Sequence, residues 1–376
     1  MKILQMLPGF TLGGPTFSTT MLARCLQGLG HRVLFFTEEN DFAGYEDLDF
    51  HPFHVPAFPL NGQFAFSWGL LKELKRECRD AQIIQTNSLW QFPNIVQEYA
   101  RKGCGAKSVI VPRGTLSEYA LSMSRKKKKL VYALGQRMAL RRADMFIATC
   151  EKEYRDIRNF GLTQPVAIIP NGLELPVLEG REKKNNVTFL GRIHKVKGVD
   201  LLIEAWKRIR REGGVDDWRL VIAGPTMSDY AKEMQELARG EESISFVGEL
   251  HGEAKNRLLE ESAIYVLPTH TENFGISVGE ALACGTAAIT TTGAPWSGLV
   301  DNDCGLWIDL SVENLAKALT NMMSLPMDRL SAMGRNGREW MRRDFSWDEI
   351  AQKTAQAYEW LLYPEDRELP DFVRID

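Results

Sequence analysis

Two glutamates with seven residues between them, Glu272 and Glu280, stand in the stretch THTENFGISVGEALACG, Thr269 to Gly285. An apolar run, Ala263 to Leu267, precedes them and reads as a buried parallel strand. From Ile276 onward the apolar residues Ile276, Val278, Ala281 and Leu282 recur at helical spacing. The pattern predicts a strand, a loop carrying Glu272, and a helix with Glu280 in its first turn. The first N–H groups of a helix lack intrahelical partners and lie at the positive end of its dipole, so such a start can hold phosphate. A carboxylate accepts hydrogen bonds and a hydroxyl donates them, so two carboxylates beside an anion site suit sugar hydroxyls. A plainer reading stays open. Ser277 and Glu280 fit S-x-x-E, a helix capping box in which Glu280 only ties down backbone and Glu272 is a solvated loop acid.

A second loop brings cations. Val187 to Gly191 reads as a strand, RIHKVKG as a loop, and Val199 to Arg211 as a helix. Arg192 and Lys197 on that helix-opening loop can grip a pyrophosphate, and they could equally be surface charges. His194 between them carries no assigned chemistry. In the first half, the strand Lys2 to Leu7 leads into PGFTLGGP, where Gly13 and Gly14 would let the backbone approach a ligand closely. The spacing is not G-x-G-x-x-G, which argues against a dinucleotide; a tight turn is the other reading. Asn87, Trp90 and Gln91 follow the strand Gln82 to Thr86, at the end where α/β sheets bind ligands. They are acceptor-site candidates, or a capped loop around a buried Trp. The strand Ser108 to Val111 ends in PRGTL, and the guanidinium of Arg113 cannot act as a base but can neutralise an anion. His51 and His54 have metal-like spacing without an acidic or cysteine partner close by in the chain, and read as ordinary loop histidines. The D-x-D pairs Asp47/Asp49 and Asp301/Asp303 lack supporting context and read as turn residues. No metal site is expected.

Five segments occur in a telling order: LGGPTFS, PRGTL, FLGRIHKVKG, ENFGISVGE with ALACGTAAI, and TTGAPWSGL. Over nearly its whole length the chain resembles the nucleotide-sugar-dependent retaining glycosyltransferases of family 4. The resemblance implies an α/β chain of the GT-B fold: two doubly wound, Rossmann-like domains facing a cleft, with a C-terminal helix crossing back to the first. It implies transfer of a sugar from a UDP- or GDP-sugar to an acceptor hydroxyl with retention, without cofactor or metal. It puts Gly13 and Gly14 under the donor's phosphates and sugar, and Arg192 and Lys197 on the pyrophosphate. Glu272 would accept from the donor sugar and Glu280 from the ribose, with Asn273, Phe274, Gly275 and Ile276 completing the donor site and TTGAPWSGLV closing over it. Glu272, Arg192 and Lys197 would be catalytic. Many members carry a histidine at the PRG loop; this chain has Arg113, so that histidine's role is not transferred. Arg113 is expected at the cleft, with Asn87 and Trp90 on the acceptor side. The PRG and PWSGL variants are similar to those of bacterial enzymes that build surface polysaccharides (O-antigen, capsule or exopolysaccharide), which implies a lipid-linked saccharide acceptor. The rivals are a nucleotide-sugar epimerase of similar fold and a non-catalytic nucleotide-sugar-binding protein.

At 376 residues the chain is long for one core. The expected division is an N-terminal acceptor-side domain (1–170), a polar linker (171–185), a C-terminal nucleotide-sugar domain (186–345), and a helix and tail (346–376) returning to the first domain. The net charge of −3 gives no reason to expect nucleic acid. The six cysteines lie far apart with no C-x-x-C and read as reduced thiols of a cytoplasmic protein. No apolar run reaches the ~18 residues that span a bilayer, and Pro8 and Gly9 break the N-terminal run too early for a signal peptide. The segment Lys126 to Arg142 mixes Lys126 to Lys129, Arg137, Arg141 and Arg142 with Leu130, Val131, Leu134, Met138 and Leu140 at helical spacing. It predicts one basic amphipathic helix, suited either to the anionic inner face of a membrane or to plain solvent.

Overall fold

The computed structural model describes residues 1–9, 14–40, 42–57, 64–213 and 216–376; Gly13 lies outside the described residues. The chain divides into two compact units, Met1–Gly172 together with Trp347–Asp376, and Leu173–Ser346.

The first unit alternates strand and helix. Its strands are β1 (Lys2–Met6), β2 (Arg32–Glu38), β3 (Asp49–Phe53), β4 (Ile83–Asn87), β5 (Lys107–Val111), β6 (Met145–Ala148) and β7 (Val166–Ile168). Its helices are α1 (Gly14–Gly28), α2 (Trp68–Glu77), α3 (Pro93–Ala100), α4 (Glu118–Ser122), α5 (Arg125–Val131), α6 (Arg137–Arg142) and α7 (Glu151–Asn159). The sheet runs β7-β6-β5-β4-β1-β2-β3, all parallel, with Val373–Arg374 added antiparallel beside β7. All five residues of β1 are buried because both faces are covered. Ile3 joins a core with Leu26 and Phe35, while Leu4 and Met6 join another with Leu70 and Leu74 of α2. That is why such strands read as continuous apolar runs. The helix Trp347–Leu362 belongs to this unit: Trp347, Ile350, Tyr358 and Leu361 enter the core that holds Ile3 and Phe35, and the Tyr358 hydroxyl donates to Gln85 Oε1.

Three local expectations are corrected here. The two histidines read as loop residues without acidic partners lie on and just after β3: His51 bonds Glu73 Oε1 (2.8 Å) and approaches Asp49 (3.4 Å), while His54 bonds Glu39 (3.0 Å). Two of these partners, Glu73 and Glu39, come from other elements, so the local sequence hid them. The basic segment is two short helices, α5 and α6, joined by a π-turn at Tyr132–Gln136 with Gly135 at φ 155°. Ile95 of α3 fills the space where a Gly135 side chain would stand, 2.6 Å away. Residues 173–185 are no free linker. Leu173 bonds Phe345 O (2.8 Å), and Gly180 and Arg181 donate backbone N–H groups to Glu260 (2.9 and 3.2 Å). The buried Glu260 carboxylate holds this polar stretch against the second unit.

The second unit has β8 (Lys184–Leu190), β9 (Arg219–Ala223), β10 (Ile244–Gly248), β11 (Ser262–Leu267), β12 (Ala287–Thr291) and β13 (Gly305–Ile308). Its helices are α8 (Val199–Glu212), α9 (Asp229–Ala238), α10 (Gly252–Glu261), α11 (Ile276–Ala283), α12 (Gly298–Asp301), α13 (Val312–Met323) and α14 (Met327–Asp344). The sheet is parallel throughout, in the order β10-β9-β8-β11-β12-β13. In both units the first strand lies between the second and the fourth or their equivalents. The strand order reverses there, and the crevice at the carboxyl ends is where doubly wound sheets take ligands. Among the described residues no helix is long and apolar enough to cross a membrane.

Candidate active site

The loops after β8 and β11 leave the carboxyl ends of neighbouring strands and are bound to one another. Val196 O accepts from His270 N–H (2.8 Å) and from the Thr269 hydroxyl (3.0 Å). Gly198 ends the short turn Lys195–Lys197 at φ 65°. A Cβ there would stand 2.0 Å from Pro268 O, so both the left-handed backbone and the loop contact require glycine. The loop after β12 joins them through Glu272 N–H to Gly293 O (2.8 Å).

This scaffold brings the two motifs together. Lys197 Nζ donates to Glu272 Oε1, and the pair is largely shielded from solvent, with side-chain exposures of 18% and 13%. The Thr269 hydroxyl lies 3.4 Å from the same oxygen. Arg192 is exposed and, among the described residues, makes no ion pair. His194 gains a structural role: its Nδ1 accepts from Val196 N–H (3.3 Å) and caps the turn that carries Lys197.

The capping-box reading is excluded. Helix α11 starts at Ile276, its N-cap is Gly275 at φ 78°, and no side chain caps it. Ser277 is inside the helix, sharing a hydrogen bond with the Tyr265 hydroxyl (2.7 Å), which also donates to Leu190 O (3.2 Å). Burial holds the Tyr265 phenol well above its ordinary range, so it stays a neutral strut between β8 and α11. Glu280 lies in the second turn, not the first, and its Oε1 accepts from Lys255 Nζ of α10 (2.7 Å). Nothing in the sequence near Glu280 pointed to Lys255. Beside it, burial and the Glu280 charge push the Cys284 thiol up to about 12, which keeps it protonated.

Phe274 does not present its ring to a ligand. The ring is buried against Trp296 (centroids 5.2 Å), and Trp296 in turn packs on Trp340 (5.7 Å) and Phe345 (5.4 Å). Trp296 is 1% exposed and its indole N–H donates to Phe274 O (2.6 Å). The TTGAPWSGLV loop therefore shapes the start of α11 from beneath; its tryptophan is no lid. Asn273 and Ile276 are half-buried beside the Gly275 backbone.

In the first unit, Arg113 is surrounded by neutral oxygens. It donates to Asn87 Oδ1 (3.1 and 2.9 Å), Ser18 Oγ (3.0 Å), Thr19 Oγ1 (3.1 Å) and Asn171 Oδ1 (3.3 Å). Burial lowers its pKa to about 10, so the charge persists at neutral pH. Asn87 is fully buried and also donates to Met6 O (3.1 Å); it positions Arg113 and is not open to an acceptor. Trp90 is half-buried, with its indole N–H on Thr115 O (3.3 Å) and Lys128 Nζ 5.7 Å from the ring centroid. Glu153, missed in the sequence, anchors the PRG loop: it accepts from Gly114 N–H and from Thr149 N–H and Oγ1 (both 2.7 Å). Ser88, Trp90 and Arg113 all have positive φ (69°, 76° and 54°). Strained backbone of this kind gathers at functional ends of folds.

Among the described residues no group of three or more His, Cys, Asp or Glu side chains could hold a metal ion. Each D-x-D motif has one acid clamped by an arginine: Asp47 by Arg24 (2.6 and 2.7 Å) and Asp303 by Arg329 (2.8 and 2.5 Å).

Two family models match consecutive parts of the chain: Glycosyltransferase Family 4 over residues 12–175 and Glycosyl transferases group 1 over residues 174–340. Among curated proteins, the chain is 32% identical over 189 residues to a GDP-mannose-dependent alpha-(1-6)-phosphatidylinositol monomannoside mannosyltransferase of Mycobacterium tuberculosis, covering 46% of this chain and 47% of that one. The chain spans about half the length of the first curated relatives it matches, 45% and 52%. Among solved structures, sucrose-phosphate synthase from Thermosynechococcus elongatus superposes with a TM-score of 0.74 at 20% identity, over 97% of this chain and 100% of that one. The Anabaena protein Alr3699/HepE in complex with UDP-glucose gives 0.72 at 17% identity, over 96% and 99%. At these identities the likeness shows the fold.

Proposed function

Since the chain belongs to the family 4 type of GT-B glycosyltransferase, we propose that it moves a sugar from a nucleoside-diphosphate sugar to an acceptor hydroxyl with retention. The acceptor in this reading is a lipid-linked saccharide in bacterial surface-polysaccharide synthesis. The observation that carries the reading is the Lys197–Glu272 pair beside exposed Arg192. It stands at the strand ends where such sheets bind ligands, next to a helix start that no side chain caps.

The departing group is a pyrophosphate oxygen that gains negative charge as the sugar leaves. Arg192, Lys197 and the N–H groups at the start of α11 meet that charge, and losing one such donor costs ~10²–10³ in rate. Two cations and a helix dipole supply this neutralisation from the chain's own residues, so the reaction proceeds without a metal. Glu272 has one oxygen held by Lys197 and accepts from a hydroxyl of the transferred sugar with the other. Glu280 accepts from the ribose. The leaving phosphate takes the proton of the acceptor hydroxyl on the same face, which gives retention. The Anabaena neighbour's complex with UDP-glucose and the mycobacterial relative's GDP-mannose support a nucleotide-sugar donor. That relative's phosphatidylinositol acceptor supports a lipid-borne one.

The reading extends to the membrane surface. Lys126, Lys127, Lys129, Arg137, Arg141 and Arg142 are exposed, and Leu130 and Leu134 are each 61% exposed among them. Each such cation contributes ~1 kcal/mol near an anionic surface, so this patch would hold the protein reversibly at the inner face. Lys128 turns inward onto Ala120 O and Trp90 and adds nothing to it.

The test is a panel of UDP-, GDP- and ADP-sugars, followed by nucleoside diphosphate release with and without a chelator. Slow release from one donor, unaffected by chelation, supports the reading. An epimerase would interconvert a donor without releasing nucleotide, and a binding protein would leave every donor intact.

A further inference from the structure

We propose that Lys255 is a positioning residue for the nucleotide, acting through Glu280. The proposal rests on the donor-site reading above and extends it to a residue outside the sequence segments that carry the resemblance. Lys255 lies in the first half of α10 and Glu280 in α11, and Lys255 Nζ meets Glu280 Oε1 at 2.7 Å. The two side chains are 24% and 26% exposed, open enough for a ligand to reach them and shielded enough for their charges to matter. Glu280 Oε2 makes no hydrogen bond among the described residues. The lysine thus fixes the rotamer and leaves one oxygen to receive a ribose hydroxyl.

The charge pattern of the site makes the same point. A diphosphate is repelled by any bare carboxylate beside it. Here each of the two carboxylates has its own lysine: Glu272 has Lys197 and Glu280 has Lys255. The other charges in the motif pair are exposed Arg192 and Lys195, so the unliganded site is net positive by two cations. Removing Lys255 halves that surplus and frees Glu280 to swing and to repel the incoming anion. Its effect should fall on ground-state binding, because the ribose does not change charge during transfer.

The experiment measures UDP, GDP and ADP affinity by calorimetry for the wild type, Lys255→Met, Lys255→Arg, Glu280→Gln and the double variant Lys255→Met/Glu280→Gln. Steady-state constants are taken with the accepted donor sugar. Lys255→Met is expected to weaken nucleotide binding and raise donor KM about tenfold, with kcat within about twofold, and Lys255→Arg to recover most of the loss. In the Glu280→Gln background the lysine substitution should change affinity less than about twofold, since its partner is already gone. Wild-type-like binding by Lys255→Met overturns the proposal. So does an equal loss in both backgrounds, which would mean that Lys255 acts without Glu280. If the wild type binds none of UDP, GDP and ADP, the donor-site reading itself falls, an outcome distinct from either of these.

Discussion

Gly198→Ala tests whether the contact between the β8 and β11 loops holds the Lys197–Glu272 pair in place. The added Cβ would lie 2.0 Å from Pro268 O, closer than real Cβ contacts come, and the glycine sits at φ 65°. Two costs follow. The left-handed backbone alone destabilises by about 1–2 kcal/mol for a non-glycine residue. The clash must also open the loop contact by about 1 Å, and a misplacement of that size in a catalytic group costs about 10²-fold in rate. Lys197 is the residue immediately before Gly198, and Thr269 follows Pro268, so the displacement acts directly on the Lys197–Glu272 geometry. Gly240→Ala is the control: φ is 82° and nothing lies within 4 Å of the position its methyl would take. Both variants should melt below the wild type, Gly198→Ala by more because it carries the clash as well as the left-handed backbone. Only Gly198→Ala should lose about 10²-fold in kcat/KM for nucleotide release. Equal activity in the two variants would refute the claim that this contact sets the site.

Trp296→Ala removes the buried support beneath α11 and the bond to Phe274 O. It should cost about 3–5 kcal/mol, lowering the melting temperature on the order of 10 °C, with nucleotide affinity falling as the helix start loosens. Burial holds the Lys183 ammonium, which bonds Thr286 Oγ1 at 2.8 Å, down to about 8. Below pH 8 the folded chain carries a desolvated charge; between pH 8 and the ordinary lysine value the unfolded chain keeps a proton that the folded chain has released, so stability rises with pH across that window. Lys183→Met should therefore stabilise most below pH 8, by about 1–3 kcal/mol, with the advantage shrinking toward pH 10 in a melt series. Replacing Lys126, Lys127 and Lys129 by Glu should abolish sedimentation with vesicles rich in anionic lipid, while release from a soluble donor stays unchanged; full sedimentation of the variant would remove the membrane surface from the account.

The alternation of strands and helices was legible because parallel strands covered on both faces leave unbroken apolar runs, as in SAIYVL of β11. The loops that carry Arg192, Lys197 and Glu272 were legible because each is local: a strand end, a glycine, a charge. What stayed hidden was non-local. Lys255 reaches Glu280 from a helix on the far side of β11 in the chain, and Glu153 reaches Gly114 from α7. No periodicity announces either. β3 (DFHPF) and Val373–Arg374 are short and lie at opposite edges of the first sheet, where pairing with a neighbour decides the conformation and alternation does not. Trp296 was misplaced because GAPW has the composition of an open loop, whereas packing against Phe274, Trp340 and Phe345 makes it core. Arg113 was read as a guanidinium able to neutralise an anion; the structure surrounds it with four neutral partners that local sequence did not announce.

The most direct test of the central claim is the split between binding and turnover in Glu272→Ala. Nucleoside diphosphate affinity and donor turnover would be measured side by side on the wild type and the variant. The account predicts that the nucleotide still binds within about tenfold while turnover falls by ~10²-fold or more. Turnover at the wild-type rate would contradict it, and Glu272 would then be no more than the counter-ion of Lys197.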